Sequence, residues 1–357
     1  MKPEKLPKPA AVKEPANSCR KMKEHLSEFR AKGAKTITCL DAPAEATAAE
    51  VAAPPGGLPE GLPSWCVQAA NGGWQYTRFN ACTWRSWTLK WVNVDTGAQI
   101  GSVELIVWDD VLTAWSEGAF VYGHRVYAYN PQGAWNPRTY MVSTPTCLAR
   151  CVVGRPAPDK GVIQLNTIVV YDTYLQENLP VPSRGVVSLD AELVAVDPDS
   201  NDQNLTIDNP HPVIRCDDGM LKGHATLAGC VMRDYKPTLV FRYSEMPDIV
   251  DHVKMSQAIG SPGEPGTSPL QRMYDDTDAA DNREMACEDV TPGPSQNCDE
   301  YPFAHSYQGA VTCGCDDWTA RAVNATDNTR QGTVMSMFFQ AYRVLDGDAF
   351  WVDTSSS

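Results

Sequence analysis

Long apolar runs are missing from this sequence. The best strand-like stretches are broken by charge within about ten residues, far short of a bilayer span, so no transmembrane segment is expected. Basic charge is scarce too: 30 Lys and Arg stand against 44 Asp and Glu, a net charge of −14 over 357 residues. Such a chain has no general basic surface for a nucleic-acid backbone, and a polyanionic ligand would need a cation between the two. The opening stretch "MKPEKLPKPAAVKEPANS" has no apolar h-region and does not read as a secretory signal. It points to a leader already removed, or to a fragment of a larger exported protein.

Cysteine is abundant. Twelve residues, Cys19, Cys39, Cys66, Cys82, Cys147, Cys151, Cys216, Cys230, Cys287, Cys298, Cys313 and Cys315, are spread over the whole chain. Two Cys pairs at zinc-site separation are absent, and Cys313-Gly314-Cys315 is too tight for a knuckle. Disulfides are therefore preferred over zinc, which implies an oxidising, extracellular or exported location. Cys216 with Cys230, and Cys287 with Cys298, are near enough to close short loops.

The chain reads as three parts. Residues 1–63 are a mostly disordered Pro/Ala-rich linker with one short polar helix, "RKMKEHLSEFRAKG", closed by a glycine. Residues 64–210 carry "SVELIVW", "FVYGHRVYAY", "VIQLNTIVVYD" and "VSLDAELVAV", separated by turn residues, which predicts an antiparallel all-β, sandwich-like domain. Eight of the ten tryptophans fall between Trp65 and Trp135; a sugar-stacking face is one reading, but large aromatics are more often core. Asp197, Asp199, Asn201 and Asp202 have calcium-loop spacing without the glycine and glutamate of an EF-hand, so a solvated turn is preferred. Sequons at Asn204 and Asn324 matter only in a source that glycosylates.

Residues 211–357 change texture to an α+β module. Helices are predicted over "MPDIVDHVKMSQA", "DAADNREMAC" and "TVMSMFFQAYRVL", and a final strand over "DGDAFWV". Between Asp275 and Glu300 carboxylates crowd with little basic compensation. Blocks of like charge are usually solvated loops. The alternative is a hard divalent cation, Mg2+ or Mn2+, which turns an acidic surface into a phosphate binder. Asp299 and Glu300, pinned between Cys298 and Pro302, sit on a preorganised backbone, and "TDNTRQG" brings Asn328 and Arg330 ahead of a predicted helix.

The order "ADNREMAC", "CDEYPFA", "DNTRQG", "FFQAYRVLDGDAFWV" resembles the C-terminal domain of the NucA/NucB-type secreted deoxyribonucleases and their actinobacterial relatives, over roughly the last 130 to 150 residues. The resemblance implies a metal-dependent, non-specific endonuclease that hydrolyses DNA phosphodiesters. Carried onto matching positions, Glu300 is the essential carboxylate, holding the metal or deprotonating its water. Asp299 and Asp281 are the further acidic metal-site contributors, Arg283 and Arg330 hold phosphate, and Asn328 orients the metal shell or substrate. Where relatives continue with small hydroxyl residues this chain has His305; a proton donor to the leaving 3′ oxygen is one reading, and a plain surface substitution is preferred.

The separate β-rich region and Pro-rich start fit the toxic effector part of a delivered or tethered protein, in which case a cognate inhibitor (immunity) protein is the expected partner beside DNA. The β-domain's own partner is not readable. The competing hypothesis is an envelope- or partner-binding structural protein whose nuclease-like domain is inactive.

Overall fold

Alternation of apolar and polar residues builds most of the N-terminal half. In the computed structural model, residues 4–5, 18–41, 63–66, 73–158, 161–200, 204–208 and 212–355 are described. The Ala/Pro/Gly-rich stretch at 42–62 and most of the opening eighteen residues, read from sequence as linker, lie outside them. Two compact units result: Met1–Pro180 with Arg184–Asp217 and Gly229–Met232, and Val181–Ser183 with Asp218–Ala228 and Arg233–Ser357.

The first unit is two antiparallel sheets. One runs through long strands at Asn80–Asn93, Gln99–Leu112, Ala119–Gly133 and Ile168–Glu177. The other is centred on Ser183–Val196, whose inward and outward residues alternate as a two-residue period requires. Trp87, Leu89, Trp91, Val103, Leu105, Val126, Leu193 and Ala195 meet in its apolar core. Trp84 and Trp108 fill a second cluster around the Cys66–Cys82 bridge, so most of the tryptophan-rich region is spent on core rather than on a sugar-binding face. Asp197 accepts from Trp91 Nε1 at 2.6 Å and from Asn136 Nδ2 at 2.5 Å, and Asp199 accepts from Asn136 Nδ2 at 2.9 Å. That part of the calcium-like stretch is a turn held by side-chain donors; Asn201 and Asp202 lie outside the described residues.

The boundaries expected from sequence shift at both ends of this unit. Strand Thr36–Asp41 pairs with Asn80–Asn93, and Cys19 is bonded to Cys39, so the helical segment read as part of the linker is tied to the sheet. It is two short helices, Cys19–Glu24 and Leu26–Ala31, followed by Gly33 at φ +82. Strands Ile214–Asp218 and Gly229–Met232, cross-linked by Cys216–Cys230, pair with each other within the second sheet rather than opening the nuclease module. Their residues are almost all buried, Arg215 and Asp217 of the first strand included.

Among its described residues the second unit has eight elements: β1 (Thr238–Val240), α1 (Pro247–Ala258), β2 (Leu270–Gln271), α2 (Asp276–Cys287), β3 (Gln296–Tyr301), β4 (Thr319–Asn324), α3 (Ala325–Ala341) and β5 (Ala349–Asp353). β5 lies between β1, parallel to it, and β2, antiparallel; β3 and β4 form a separate antiparallel ribbon. Proline at the first position starts α1. The side chain of Asp275 caps α2, and that of Asn324 caps α3. That second cap starts α3 eight residues before the predicted "TVMSMFFQAYRVL", placing "TDNTRQG" within the helix rather than ahead of it. Leu239, Phe241, Ile249, Val253, Tyr301, Phe303, Phe338 and Phe350 form the core under these elements.

All twelve cysteines are paired, giving also Cys147–Cys151, Cys287–Cys298 and Cys313–Cys315. Six disulfides suit an oxidising compartment. Among the described residues no helix is long and apolar enough to cross a membrane.

Candidate active site

The ribbon strand β3 carries the acidic pair that the sequence singles out, opposite Arg321 and Ala320 of β4. Neighbouring side chains of a strand leave on opposite faces, and the two carboxylates take different partners. Asp299 is buried against α1, where His252 Nδ1 donates to its Oδ2 at 2.6 Å. The other ring nitrogen, Nε2, lies 3.0 Å from Thr319 Oγ1, which also bonds Ser256. Glu300 turns toward α2, with its Oε1 3.5 Å from Arg283 Nε. Burial pushes the Glu300 carboxyl above its ordinary value; Arg283 opposes that rise, Asp299 adds to it, and the backbone amides of Ala304 and Glu300 pull it back.

Glu300 opens into a cleft of about 410 Å³ that is also lined by Lys222, Arg272, Arg283, His305 and Asn328. Asp299 borders the same cleft from its inner wall. Asn328, on the first turns of α3, is tied to β3 by its Nδ2, which donates to the Cys298 carbonyl at 3.1 Å. His305 is half-buried in the cleft, not a free surface position. Burial lowers its pKa from the ordinary 6.5; Lys222 and Arg283 lower it further, while Asp276 and a backbone contact with Met273 oppose them.

Two expected contributors stand elsewhere. Asp281 is solvent-exposed on α2 and does not line the cleft. Successive helix residues point about 100° apart, so of Asp281, Asn282 and Arg283 only Arg283 reaches Glu300. Asn282 takes the core side. Its amide donates to the Ala304 carbonyl at 2.9 Å, and its carbonyl accepts from the Val311 and Thr312 amides at 2.8 and 3.0 Å. A Cβ at Gly309 would collide with that side chain. The loop bearing His305 is thereby fixed from α2. Arg330 also falls outside the cleft lining, its Nη1 donating to the Glu245 carbonyl at 2.7 Å.

Three residues not singled out from sequence complete the arrangement. His252 was visible only as a histidine in a predicted helix, and its partner lies 47 residues away. Arg272 and Lys222 lie outside every motif quoted above, and only the fold brings them to the cleft.

For a divalent cation the cleft offers one desolvated carboxylate, Glu300, and the side-chain amide of Asn328. Magnesium is commonly held by one or two carboxylates while keeping several waters and meeting substrate phosphate, so these residues fit such an ion. A cage made by Asp281, Asp299 and Glu300 together is not assembled: among the described residues, no three His, Cys, Asp or Glu side chains gather where they could hold a metal.

No curated protein matches the chain. Residues 267–353, which span β2 to β5 and most of the cleft wall, match the family model described as Deoxyribonuclease NucA/NucB. The C-terminal part of this chain is therefore a NucA/NucB-type deoxyribonuclease domain.

Proposed function

We propose that this domain is a non-specific, divalent-metal-dependent DNA endonuclease, exported as the toxic effector part of a delivered or tethered protein. The observation that carries the reading is Glu300, a desolvated carboxylate paired with Arg283 at the wall of a cleft rich in cations, on a chain that is otherwise strongly acidic. Six disulfides support export. In the toxin role, a cognate inhibitor protein would cover the cleft.

Glu300, with Asn328 beside it, would hold Mg2+ or Mn2+. When bound, the ion supplies Lewis acidity, lowering the pKa of water and neutralising charge that develops on the phosphate. Arg283 stands where a guanidinium can hold a phosphate oxygen and stabilise the same charge. His305, kept mainly neutral near pH 7 by burial and by Lys222 and Arg283, is suited to accepting the proton of the attacking water. That reverses the role considered for it from sequence, donation to the leaving group. A bond then forms between water oxygen and phosphorus and the bond from phosphorus to the 3′ oxygen breaks; His305 takes the water proton and the leaving oxygen is protonated from solvent.

The test is cleavage of supercoiled plasmid by the full chain under titration with Mg2+ and Mn2+. Nicking that EDTA stops and either metal restores is expected, and Glu300→Gln should abolish it with the fold intact. A plasmid left unchanged at every metal concentration would overturn the reading and favour a binding protein with an inactive domain.

A further inference from the structure

The cleft contains a second cationic centre apart from the Arg283–Glu300 pair. Arg272 is 8% exposed and lies between two rings, 4.2 Å from the Phe339 centroid and 4.5 Å from that of Tyr274. Its Nη1 donates to the Val344 carbonyl, yet among the described residues it forms no ion pair. Burial lowers its pKa, while Tyr274 and the carboxylates of Asp348 and Asp346 oppose that shift. A guanidinium is expensive to bury without a salt-bridge partner, and this one lines an open cleft, so an anion entering the cleft would add a direct countercharge to the longer-range pull of Asp348 and Asp346.

Lys222 stands next to it. Its Nζ lies 3.3 Å from the Tyr274 carbonyl and 2.6 Å from Asp276 Oδ1, and its backbone amide donates to the Tyr274 hydroxyl at 3.4 Å. The same hydroxyl is 3.5 Å from Arg272 Nη1. Tyr274 thus joins the two cations. The segment carrying Lys222 is anchored on the domain by His224, which bonds Gln340, and by Arg343, whose Nη2 donates to the Leu227 carbonyl at 2.5 Å. Lys222 lies outside residues 267–353, so the family match does not account for it.

We infer that Arg272 and Lys222 form a second phosphate subsite, which binds a backbone phosphate of the same DNA strand adjacent to the one held beside Arg283 and Glu300. Asp276, 75% exposed in its side chain, holds Lys222 while the subsite is empty and is displaced by the incoming phosphate. His305 Nε2 lies 3.9 Å from Asp276, placing the catalytic histidine at the boundary between the two subsites. The inference rests on the nuclease reading and adds to it that the substrate is a polynucleotide gripped at two phosphates.

Binding and cleavage are measured separately so that the two readings can fail separately. Anisotropy of a labelled 20-base-pair duplex with the full chain in EDTA reads binding without turnover, over a series of salt concentrations. Losing one phosphate contact should reduce the slope of log affinity against log salt by about one. Lys222→Met should show that change and weaken binding roughly tenfold, as expected for one charge-assisted contact. Lys222→Arg should restore both, and Lys254→Met, which removes a cation outside this cleft, should alter neither. Asp276→Asn should tighten binding by freeing Lys222. In the cleavage assay, run at a pH well above the His305 titration, Lys222→Met should raise KM with kcat nearly kept. An unchanged salt slope in Lys222→Met, a loss in kcat with KM unaltered, or weaker binding by Asp276→Asn would overturn the subsite. Wild-type protein that binds the duplex with the expected Lys222 dependence but never cleaves DNA would instead sink the nuclease reading alone.

Discussion

His252 Nδ1 donates to Asp299 Oδ2 across 2.6 Å, with both side chains buried between α1 and β3. The bond clamps the strand that carries Glu300 onto the first helix of the domain. Asp299 accordingly works from behind the cleft wall, setting the position of its neighbour. His252→Ala would leave a buried carboxylate without its donor, and breaking such a pair typically costs about 3–5 kcal/mol. Urea unfolding should show that loss, accompanied by lower kcat because Glu300 is no longer held in place.

Glu300→Gln should separate activity from stability. Burial raises the Glu300 pKa above its ordinary 4.5, so the native state binds a proton more tightly than the unfolded chain does. Its contribution to stability is full below pH 4.5 and is lost as pH rises through the elevated value. Above that window the charged carboxylate opposes folding, and the neutral amide does not. The variant should therefore be inactive, melt no lower than wild type at pH 7, and show a flatter dependence of melting temperature on pH over that window.

The His305 ring should titrate below 6.5 in an NMR experiment, and Lys222→Met should move its midpoint upward, since Lys222 is a cation that disfavours the imidazolium. On the acid side, activity should fall as His305 protonates. A midpoint unmoved by Lys222→Met would remove Lys222 as a cause of the depression.

Asn282→Ala tests the support of the His305 loop. It strips partners from the Val311 and Thr312 amides and from the Ala304 carbonyl. Unmet buried groups cost about 1–3 kcal/mol each when not rescued by water. Lower thermal stability and a drop in kcat are expected together. Asp281→Asn, one residue away and exposed, should keep wild-type stability and cleavage.

The Cys287–Cys298 bridge ties the end of α2 to β3, the two elements bearing Arg283 and Glu300. Replacing both cysteines by serine should lower stability by about 2–4 kcal/mol through the freed unfolded chain, measurable by chemical unfolding, with plasmid cleavage weakened as the two elements loosen.

Several features were legible without coordinates because they depend on local pattern. Alternation wrote the long strands, whereas the Asn324 cap that sets the true start of α3 was not read from the sequence. The string around "CDEYPFA" marked the nuclease domain. The boundaries were less legible: Ile214–Asp218 and Gly229–Met232 look like the start of the next module until their pairing is seen. Within "ADNR" the order of residues says nothing about direction, and a helical rotation of two positions separates exposed Asp281 from Arg283 at the cleft.

By itself the sequence determined a cysteine-rich, acidic, β-then-α+β chain with a deoxyribonuclease domain at its end, because composition, period and a long specific motif are all properties of neighbouring residues. Tertiary structure alone decided that Asp299 belongs to His252 and that Glu300 belongs to Arg283. It also decided that Lys222 and Arg272, separated by 50 positions in the chain, meet at one tyrosine. Those relationships are set by opposite faces of a strand and by packing between distant segments, and neither leaves a local trace in the order of residues.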